Sequence, residues 1–524
     1  MILRRTVLTA ATALAAVSAM AAPASARHRS AKSPGQSTPL RLASAGEQLT
    51  ALREGKITSR SLLEQHLEHI ARSNPALNAV ITLDAEGARA AADKADAHLA
   101  GTGEVLGALH GLPMTVKDAL EVAGMRTTCG SPELSDHVPD RDADAVALLR
   151  AAGAIIIGHT NVPTMCQDLQ TSNPLFGKTP NPFDADRTAG GSSGGPAAAV
   201  AAGFTSLEIG SDLAGSLRLP AAYCGVYALR TSRGTSPIVP TRGHIPRLPG
   251  WTTSSDMITL GPIARTVDDL ALLLDVIAAP APADRAGWKI NLPAPAKSKL
   301  SEFRVGVWAN HPYCPVDADT RALLQHVTAL LRTAGADIDD STEPVDFAES
   351  DKLFQRLMYA TSSATATNAA FAADIEAAEK IPADDPSGLF LHSRTMRHRD
   401  WCVADETRQK LRASWEAYFS DHDILITPAT PTAAVPDQTS TPPPQRYITV
   451  DGQKRSFYDQ TGWLNLTSPV GLPSLVLPAG TTETGLPLSV QVIGPYLADR
   501  TVLKVAKKLA KRLPSPVRPP AFSV

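Results

Sequence analysis

The residues best suited to chemistry crowd into one short stretch, Thr188-Ala-Gly-Gly-Ser-Ser-Gly-Gly-Pro196, where four glycines flank Ser192 and Ser193. A third serine, Ser216, follows Ser192 by 24 residues inside Ser211-Asp-Leu-Ala-Gly-Ser-Leu-Arg218. Glycine permits positive φ and close backbone approach, so hydroxyls and N–H groups in such a stretch can converge on one point. A phosphate cradle would use that convergence, but it needs a Gly-Lys-Ser/Thr ending, and no lysine lies nearby. A nucleophile elbow is a second use, since residues 190–194 and 191–195 both read Gly-x-Ser-x-Gly. An elbow needs a strand leading directly into the serine, and Asn181-Pro-Phe-Asp-Ala-Asp-Arg-Thr188 argues against one. A Ser/Lys hydrolase of the penicillin-binding type needs serine three residues before lysine, and no lysine of this chain has one.

The elements that must position these groups alternate between helix and strand. Capping-box patterns at Ser44-x-x-Glu47 and Ser61-x-x-Glu64 open two helices, the second running through 62–70. Residues 79–83 predict a strand and 85–99 a helix. Residues 114–116 predict a buried strand that ends at Lys117, followed by a helix over 143–152 and an apolar strand over 154–157. Residues 181–195 read as loop and 196–202 as a helix with Pro196 in its first turn, where a missing N–H costs nothing. Strands at 205–209 and 226–229 flank a loop over 210–218. Thr266-x-x-Asp269 caps an apolar helix to 278, and a Pro/Ala-rich excursion spans 279–300. Residues 304–308, 319–334 and 336–338 then read as a βαβ unit. Helices over 349–379 and 400–419, a strand at 423–427, a proline-heavy loop at 428–445, strands at 474–478 and 487–493 and a helix at 500–511 complete the chain. The alternation predicts the α/β class, a sheet with helices on both faces, and fits one interrupted domain as well as two.

Composition narrows the function classes. With 524 residues, 43% hydrophobic and 19% charged, the chain reads as an ordinary soluble globular protein. Fifty basic against 52 acidic side chains give a net charge of −2 with no long block of one sign, which argues against nucleic acid as a partner. Residues 1–26 read as an export signal: Arg4 and Arg5 precede a small, apolar run over 6–22, and Ala24-Ser25-Ala26 is a small-residue cleavage site. Arg4-Arg5-Thr6-Val7-Leu8 also resembles a twin-arginine signal, although Sec signals carry paired arginines too. The run is Ala-rich and falls short of the roughly 20 residues a membrane anchor needs, so stable membrane insertion is not expected. Residues 27–40 read as a flexible lead-in. Five scattered cysteines, Cys129, Cys166, Cys224, Cys314 and Cys402, lack zinc spacing and read as small buried hydrophobes; one disulfide is open, with no pair selected. The stretch from His392 to His398 reads as polar helix surface rather than a metal site, and Trp463 as core.

Taken together, the runs around Ser192 and Ser216 resemble the amidase signature family. Gly191-Ser192-Ser193-Gly-Gly195 and Ser211-Asp-Leu-Ala-Gly-Ser216-Leu-Arg218-Leu-Pro220-Ala match its serine-rich segment, and Gly107-Ala-Leu-His-Gly-Leu-Pro113-Met-Thr-Val-Lys117-Asp118 matches its lysine motif. Asp423-Ile-Leu-Ile-Thr-Pro428, Gly471-Leu-Pro473 and Gly485-Leu-Pro487-Leu-Ser-Val-Gln491-Val-Ile-Gly494 resemble its C-terminal core. The resemblance covers nearly all of 41–512. It implies one large α/β domain over 41–515 around a central mixed sheet, without cofactor or metal. Ser216 would be the nucleophile, Ser192 a bridging serine behind a cis peptide bond, and Lys117 the base. The N–H groups of Leu213, Ala214, Gly215 and Ser216 would form an oxyanion hole. Ser193 would help hold Lys117, Asp212 and Arg218 would fix the loop, and Cys166, Gln167 and Asp168 would border the substrate.

Two positions depart from the pattern: Ala214 stands where a glycine is usual, and Pro196 follows the second glycine pair. The implied activity is hydrolysis of a small-molecule or peptide amide to acid plus ammonia or amine. An esterase or acyltransferase with the same serine, or an inactive binding paralogue, are the alternatives. An export signal is at odds with an amidotransferase component that works on charged tRNA, so an exported hydrolase is expected. Oligomeric state does not follow from the sequence.

Overall fold

Capping residues set the helix starts in the first third of the chain. In the computed structural model, which describes residues 39–245, 252–382 and 385–522, the Ser44 side chain and Glu47 form a reciprocal capping box on α1 (Ala45–Arg53). Thr58, rather than Ser61, caps α2 (Ser59–Leu77), accepting from Ser61 N–H, so this helix starts earlier and runs longer than its apolar stripe predicts. The expected signal over 1–26 and the lead-in up to 38 lie outside the described residues. Next come β1 (Val80–Leu83), α3 (Ala85–Thr102), β2 (Pro113–Lys117), α4 (Asp144–Ala151), β3 (Ile155–Thr160) and a two-strand clip of β4 (Ser172–Asn173) with β5 (Gly177–Lys178). The middle of the chain supplies α5 (Gly194–Ala202), β6 (Leu207–Asp212), α6 (Arg218–Cys224), β7 (Tyr227–Arg230), β8 (Thr259–Ala264) and α7 (Val267–Ile277). Then follow β9 (Arg304–Val307), α8 (Ala318–Thr333), β10 (Asp337–Asp339), α9 (Phe347–Ser363), α10 (Asn368–Ala378), α11 (Leu389–Arg394) and α12 (His398–Asp421). The last elements are β11 (Ile424–Pro428), the hairpin β12 (Tyr447–Val450) and β13 (Gln453–Ser456), α13 (Gly462–Asn465), β14 (Ser474–Thr481), β15 (Pro487–Ile493) and α14 (Asp499–Ala510).

Eight strands form one mixed sheet in the order β10-β9-β11-β15-β14-β7-β8-β6, and β1-β3-β2 form a smaller one. The large sheet is parallel from β10 to β11 and antiparallel from β11 to β6. Period-two alternation sorts its side chains. Leu475 and Leu477 of β14, with Leu229 of β7 and Leu260 of β8, join a core beneath α7, α8 and α14. Val476, Ala228 and Ile263, their intervening neighbours, face a second core built on α2, α5 and α6. Each fully buried Leu, Ile or Val contributes about 1.5–3 kcal/mol of transfer free energy, so slipping any strand by one residue would exchange both faces at once. This is the α/β sheet, covered on both faces, that the alternation predicts.

Several elements differ from the sequence reading. β6 continues through Gly210, Ser211 and Asp212, which pair with Gly261, Leu260 and Thr259 of β8, so tertiary pairing overrides their weak strand propensity. β8 itself contains Gly261 and Pro262, residues that argue against a strand, and the sequence pattern does not predict it. α6 occupies the end of the expected loop 210–218 and the residues beyond it. The long helix expected over 349–379 breaks into α9 and α10, where the Thr367 side chain caps the second helix.

The described residues from Pro39 to Phe522 belong to one compact unit. The excursion over 279–300 is pinned by buried Leu292 and Leu300 rather than acting as a linker. The tail beyond 515 returns to the body: Phe522 packs edge-on to Phe204 at 6.1 Å between ring centroids, and Arg518 Nη2 donates to the Leu42 carbonyl at 2.8 Å.

Candidate active site

β2 is buried along its whole length and delivers Lys117, its last residue, to a point with no solvent exposure. The Lys117 Nζ lies 2.7 Å from Ser192 Oγ, 2.9 Å from Ser193 Oγ and 2.9 Å from Ser211 Oγ. An ammonium would donate to all three hydroxyls, whereas a neutral amine would donate to two and accept from the third. Hydroxyls serve either role, so this nest accommodates both protonation states. Burial pushes the Lys117 pKa below its ordinary value of 10.5, while Cys166, Cys129 and Asp212 pull in the opposite direction.

The glycine-rich loop threads between fixed backbones. A Cβ on Gly191 would sit 2.5 Å from the Asp168 carbonyl oxygen, and one on Gly195 would sit 2.3 Å from the Asn161 nitrogen, so neither position admits a side chain without moving main chain. The Gly191–Ser192 peptide bond is cis. Ser193 is the N-cap residue of α5. Its N–H donates to the Ser216 carbonyl at 3.0 Å, which ties the two serine segments together.

Ser216 stands between the end of β6 and the start of α6. Strand, tight turn and helix therefore surround Ser216, whereas Ser192 and Ser193 follow an irregular loop, which removes the elbow reading from the latter pair. Asp212 holds this turn. Its carboxylate accepts from the N–H groups of Gly215 at 3.0 Å and Leu217 at 3.2 Å, and from Arg218 Nε and Nη2 at 2.9 Å each. Burial alone would raise the Asp212 pKa, but the Arg218 guanidinium, with Arg230 and the Gly215 N–H, outweighs it and holds the carboxyl well below the carboxylate range. Arg218 Nη1 also reaches the Leu464 carbonyl, Thr467, Ser474 and Gln491.

Of the four N–H groups expected in the oxyanion hole, that of Gly215 is already committed to Asp212, which leaves Leu213, Ala214 and Ser216. Gly215 carries the left-handed φ of 88°, and Ala214 is not among the positive-φ residues, so alanine at 214 meets no backbone conflict.

A cavity of about 570 Å3 opens onto Ser192, Ser211, Leu213, Ala214 and Ser216. Cys166, Gln167 and Asp168 all line it, as does Pro443 from the loop over 428–445. Two of the three candidates are already engaged: Gln167 Nε2 donates to Thr365 Oγ1 at 2.7 Å, and Asp168 pairs with Arg446 at 2.7 Å. Six aromatic residues also line the cavity: Tyr313, Phe354, Tyr359, Phe390, Phe457 and Tyr458. Trp463 is core, its Nε1 donating to the Cys314 carbonyl at 3.0 Å. His392 and His398 serve local contacts, to the Pro382 carbonyl and the Trp401 ring.

Two neighbours of the site escaped the sequence reading. Ser211 opens the quoted motif, yet nothing in its spacing announces contact with Lys117. That contact exists because β2 lies beside β6, joined by a short hydrogen bond from Thr115 Oγ1 to Glu208. Cys129 lies behind Cys166, their sulfurs 3.7 Å apart.

Known proteins resemble the chain along most of its length. The amidase family model matches residues 61–503. A glutamyl-tRNA(Gln) amidotransferase component from Synechococcus sp. (strain CC9902) is 32% identical over 483 residues, covering 87% of this chain and 93% of that protein. Among solved structures, 6-aminohexanoate cyclic dimer hydrolase superposes with a TM-score of 0.73 at 26% identity, covering 92% of this chain and 99% of the other. A bacterial aryl acylamidase of the amidase signature enzymes shares the fold, with a TM-score of 0.76 at 24% identity over 93% of this chain and 99% of its own.

Proposed function

The chain belongs to the amidase signature family, and on that premise we propose that it hydrolyses carboxylic amides through an acyl-enzyme on Ser216. The observation that carries the reading is the buried Lys117 Nζ at 2.7 Å from Ser192 Oγ, with Ser192 and Ser216 opening on one cavity. A serine hydroxyl is a weak nucleophile until a base takes its proton, and a lysine whose pKa is depressed by burial can be that base. As Ser216 Oγ bonds to the amide carbon, its proton passes to Ser192 Oγ, and the Ser192 proton passes to neutral Lys117. The oxyanion that forms meets the N–H groups of the turn after β6. When the C–N bond breaks, Ser192 gives its proton to the departing nitrogen and recovers one from Lys117. Water then attacks the ester by the same relay in reverse, releasing acid and restoring Ser216.

The aromatic lining favours an amide with an apolar or aryl group of a size that fits about 570 Å3. We further propose that residues 1–26 export the chain, so that its mature form begins near Arg27; N-terminal sequencing of protein recovered from producing cells tests this. A second reading, amidotransferase chemistry of the kind named for the Synechococcus relative with glutamine as the amide donor, is favoured by that 32% identity.

One experiment separates these readings. The protein is treated with a fluorophosphonate beside Ser216→Ala and Lys117→Ala variants, mapped by mass spectrometry, and assayed for product from an aryl amide, its ester and glutamine. An adduct on Ser216, absent in the first variant and slowed in the second, with the aryl amide cleaved faster than glutamine, is the expected result. Turnover of the ester with none of the amide would make the chain an esterase, and an unlabelled protein would make it a binding paralogue.

A further inference from the structure

Two thiols beside the serine nest have no part in the relay just described. Cys129 follows Thr128, whose N–H and Oγ1 donate to the Asp118 carboxylate at 2.9 and 2.5 Å, one residue beyond Lys117. Cys166 ends the turn Thr164–Cys166 on the cavity wall. The two segments are fastened together: Met165 N–H donates to the Cys129 carbonyl at 2.8 Å, and Thr164 Oγ1 donates to the Gly130 carbonyl at 3.1 Å. Their Sγ atoms stand 3.7 Å apart. We propose that Cys129 and Cys166 form a redox pair whose closure to a disulfide displaces the cavity wall beside Ser192 and reversibly suppresses turnover.

Access sets the order of events. Cys166 is half-buried on the cavity, whereas Cys129 is fully buried behind it. The Cys166 thiol is held below its ordinary value, first by the Cys129 thiol, against the effect of burial, and further by Lys117 and Ser192, so it supplies the thiolate. With a small disulfide such as oxidised glutathione as oxidant, the Cys166 thiolate attacks one sulfur and expels one glutathione thiolate. Cys129, losing its proton, attacks the mixed disulfide at Cys166 and expels the second. Two protein thiols are oxidised to one disulfide and one glutathione disulfide is reduced to two thiols. Closure brings the sulfurs from 3.7 Å to about 2.0 Å, a combined movement of about 1.7 Å. The Cys166 thiol would also lose its contact with Ser192. A displacement of about 1 Å at a reacting centre can cost on the order of a hundredfold.

Pair closure stands on the thiol geometry alone, while its effect on turnover rests on the proposed function. The test therefore reads each separately. The full chain, freed of reductant, is incubated with oxidised glutathione; intact mass, peptide maps and the rate of fluorophosphonate labelling at Ser216 are then recorded before and after dithiothreitol. Expected are a mass lower by two hydrogens, a cross-link between the peptides of Cys129 and Cys166, labelling slowed at least tenfold, and recovery of both on reduction. Cys129→Ala should form no cross-link and should retain one glutathione on Cys166 when oxidised. No cross-link, a cross-link between other cysteines, or a correct cross-link with an unchanged labelling rate would overturn the proposal. A reduced protein that never labels at Ser216 would instead overturn the amidase reading and leave the mass result to judge the pair.

Discussion

Replacing Arg218 by methionine should expose how the turn that carries Ser216 is held. Asp212 and Arg218 are both without solvent exposure, and two guanidinium bonds at 2.9 Å supply the positive charge that faces the carboxylate. Without the arginine, Asp212 keeps two N–H donors, from Gly215 and Leu217, and remains a buried anion. Breaking such a pair by removing one partner costs about 3–5 kcal/mol. Unfolding entropy near the midpoint is about 2.1 cal/mol/K per residue, so a unit of this size has about 1 kcal/mol/K and the variant should melt roughly 3–5 °C lower. Calorimetry of the wild type, Arg218→Met, Asp212→Asn and the double variant measures it. The double variant should recover at least half of the loss, because it no longer buries an unpaired charge. A single variant that melts within about 1 °C of wild type, or a double variant whose losses simply add, would show that the pair does not hold the turn.

Other outcomes follow from the same geometry. Because burial lowers the Lys117 pKa and the base acts when deprotonated, kcat/KM should rise as pH rises through that lowered value and level off below 10.5; a midpoint at or above 10.5 would refute the assigned base. Gly191→Ala places a Cβ 2.5 Å from the Asp168 carbonyl oxygen and 2.8 Å from the Gln170 nitrogen, so labelling of Ser216 should fall at least a hundredfold, and near-normal labelling would mean that the loop can yield. Burial raises the Glu208 carboxyl to about 8, so the stability it contributes is present below its ordinary 4.5 and is lost as pH climbs through 8. Glu208→Gln should therefore raise the melting temperature more at pH 8.5 than at pH 5, and equal shifts at both values would contradict the buried, protonated carboxyl.

Much of this architecture could be read from residue order. The apolar run at 154–157 announces its strand because both faces are buried, and Ser44 and Thr266 announce helix starts because their side chains satisfy the first N–H groups. β8 and α6 stayed hidden because Gly261, Pro262 and Pro220 argue locally against the structure that their neighbours impose. At the site, family motifs brought forward Lys117, Ser192, Ser193 and Ser216, and the fold places the first three in mutual contact, with Ser216 opening on the same cavity. Ser211 and Cys129 were not legible: each reaches the site through strand or turn neighbours far away in sequence, and a single chain carries no record of such adjacency. The partner of the Gly215 N–H was not legible for a related reason, since only the folded turn shows that it donates to Asp212.

The reach of Arg218 also dates the birth of activity. Its partner Gln491 lies 273 residues further along the chain. A ribosome adding about 5–20 residues per second delivers that partner roughly 14–55 s after the arginine itself. For most of that interval the turn bearing Ser216 lacks every Nη1 contact of Arg218, because Leu464, Thr467 and Ser474 are made only near its end and Gln491 closes it. A nascent chain therefore carries its serines and its lysine long before it can arrange them, and hydrolysis begins only when synthesis is nearly finished.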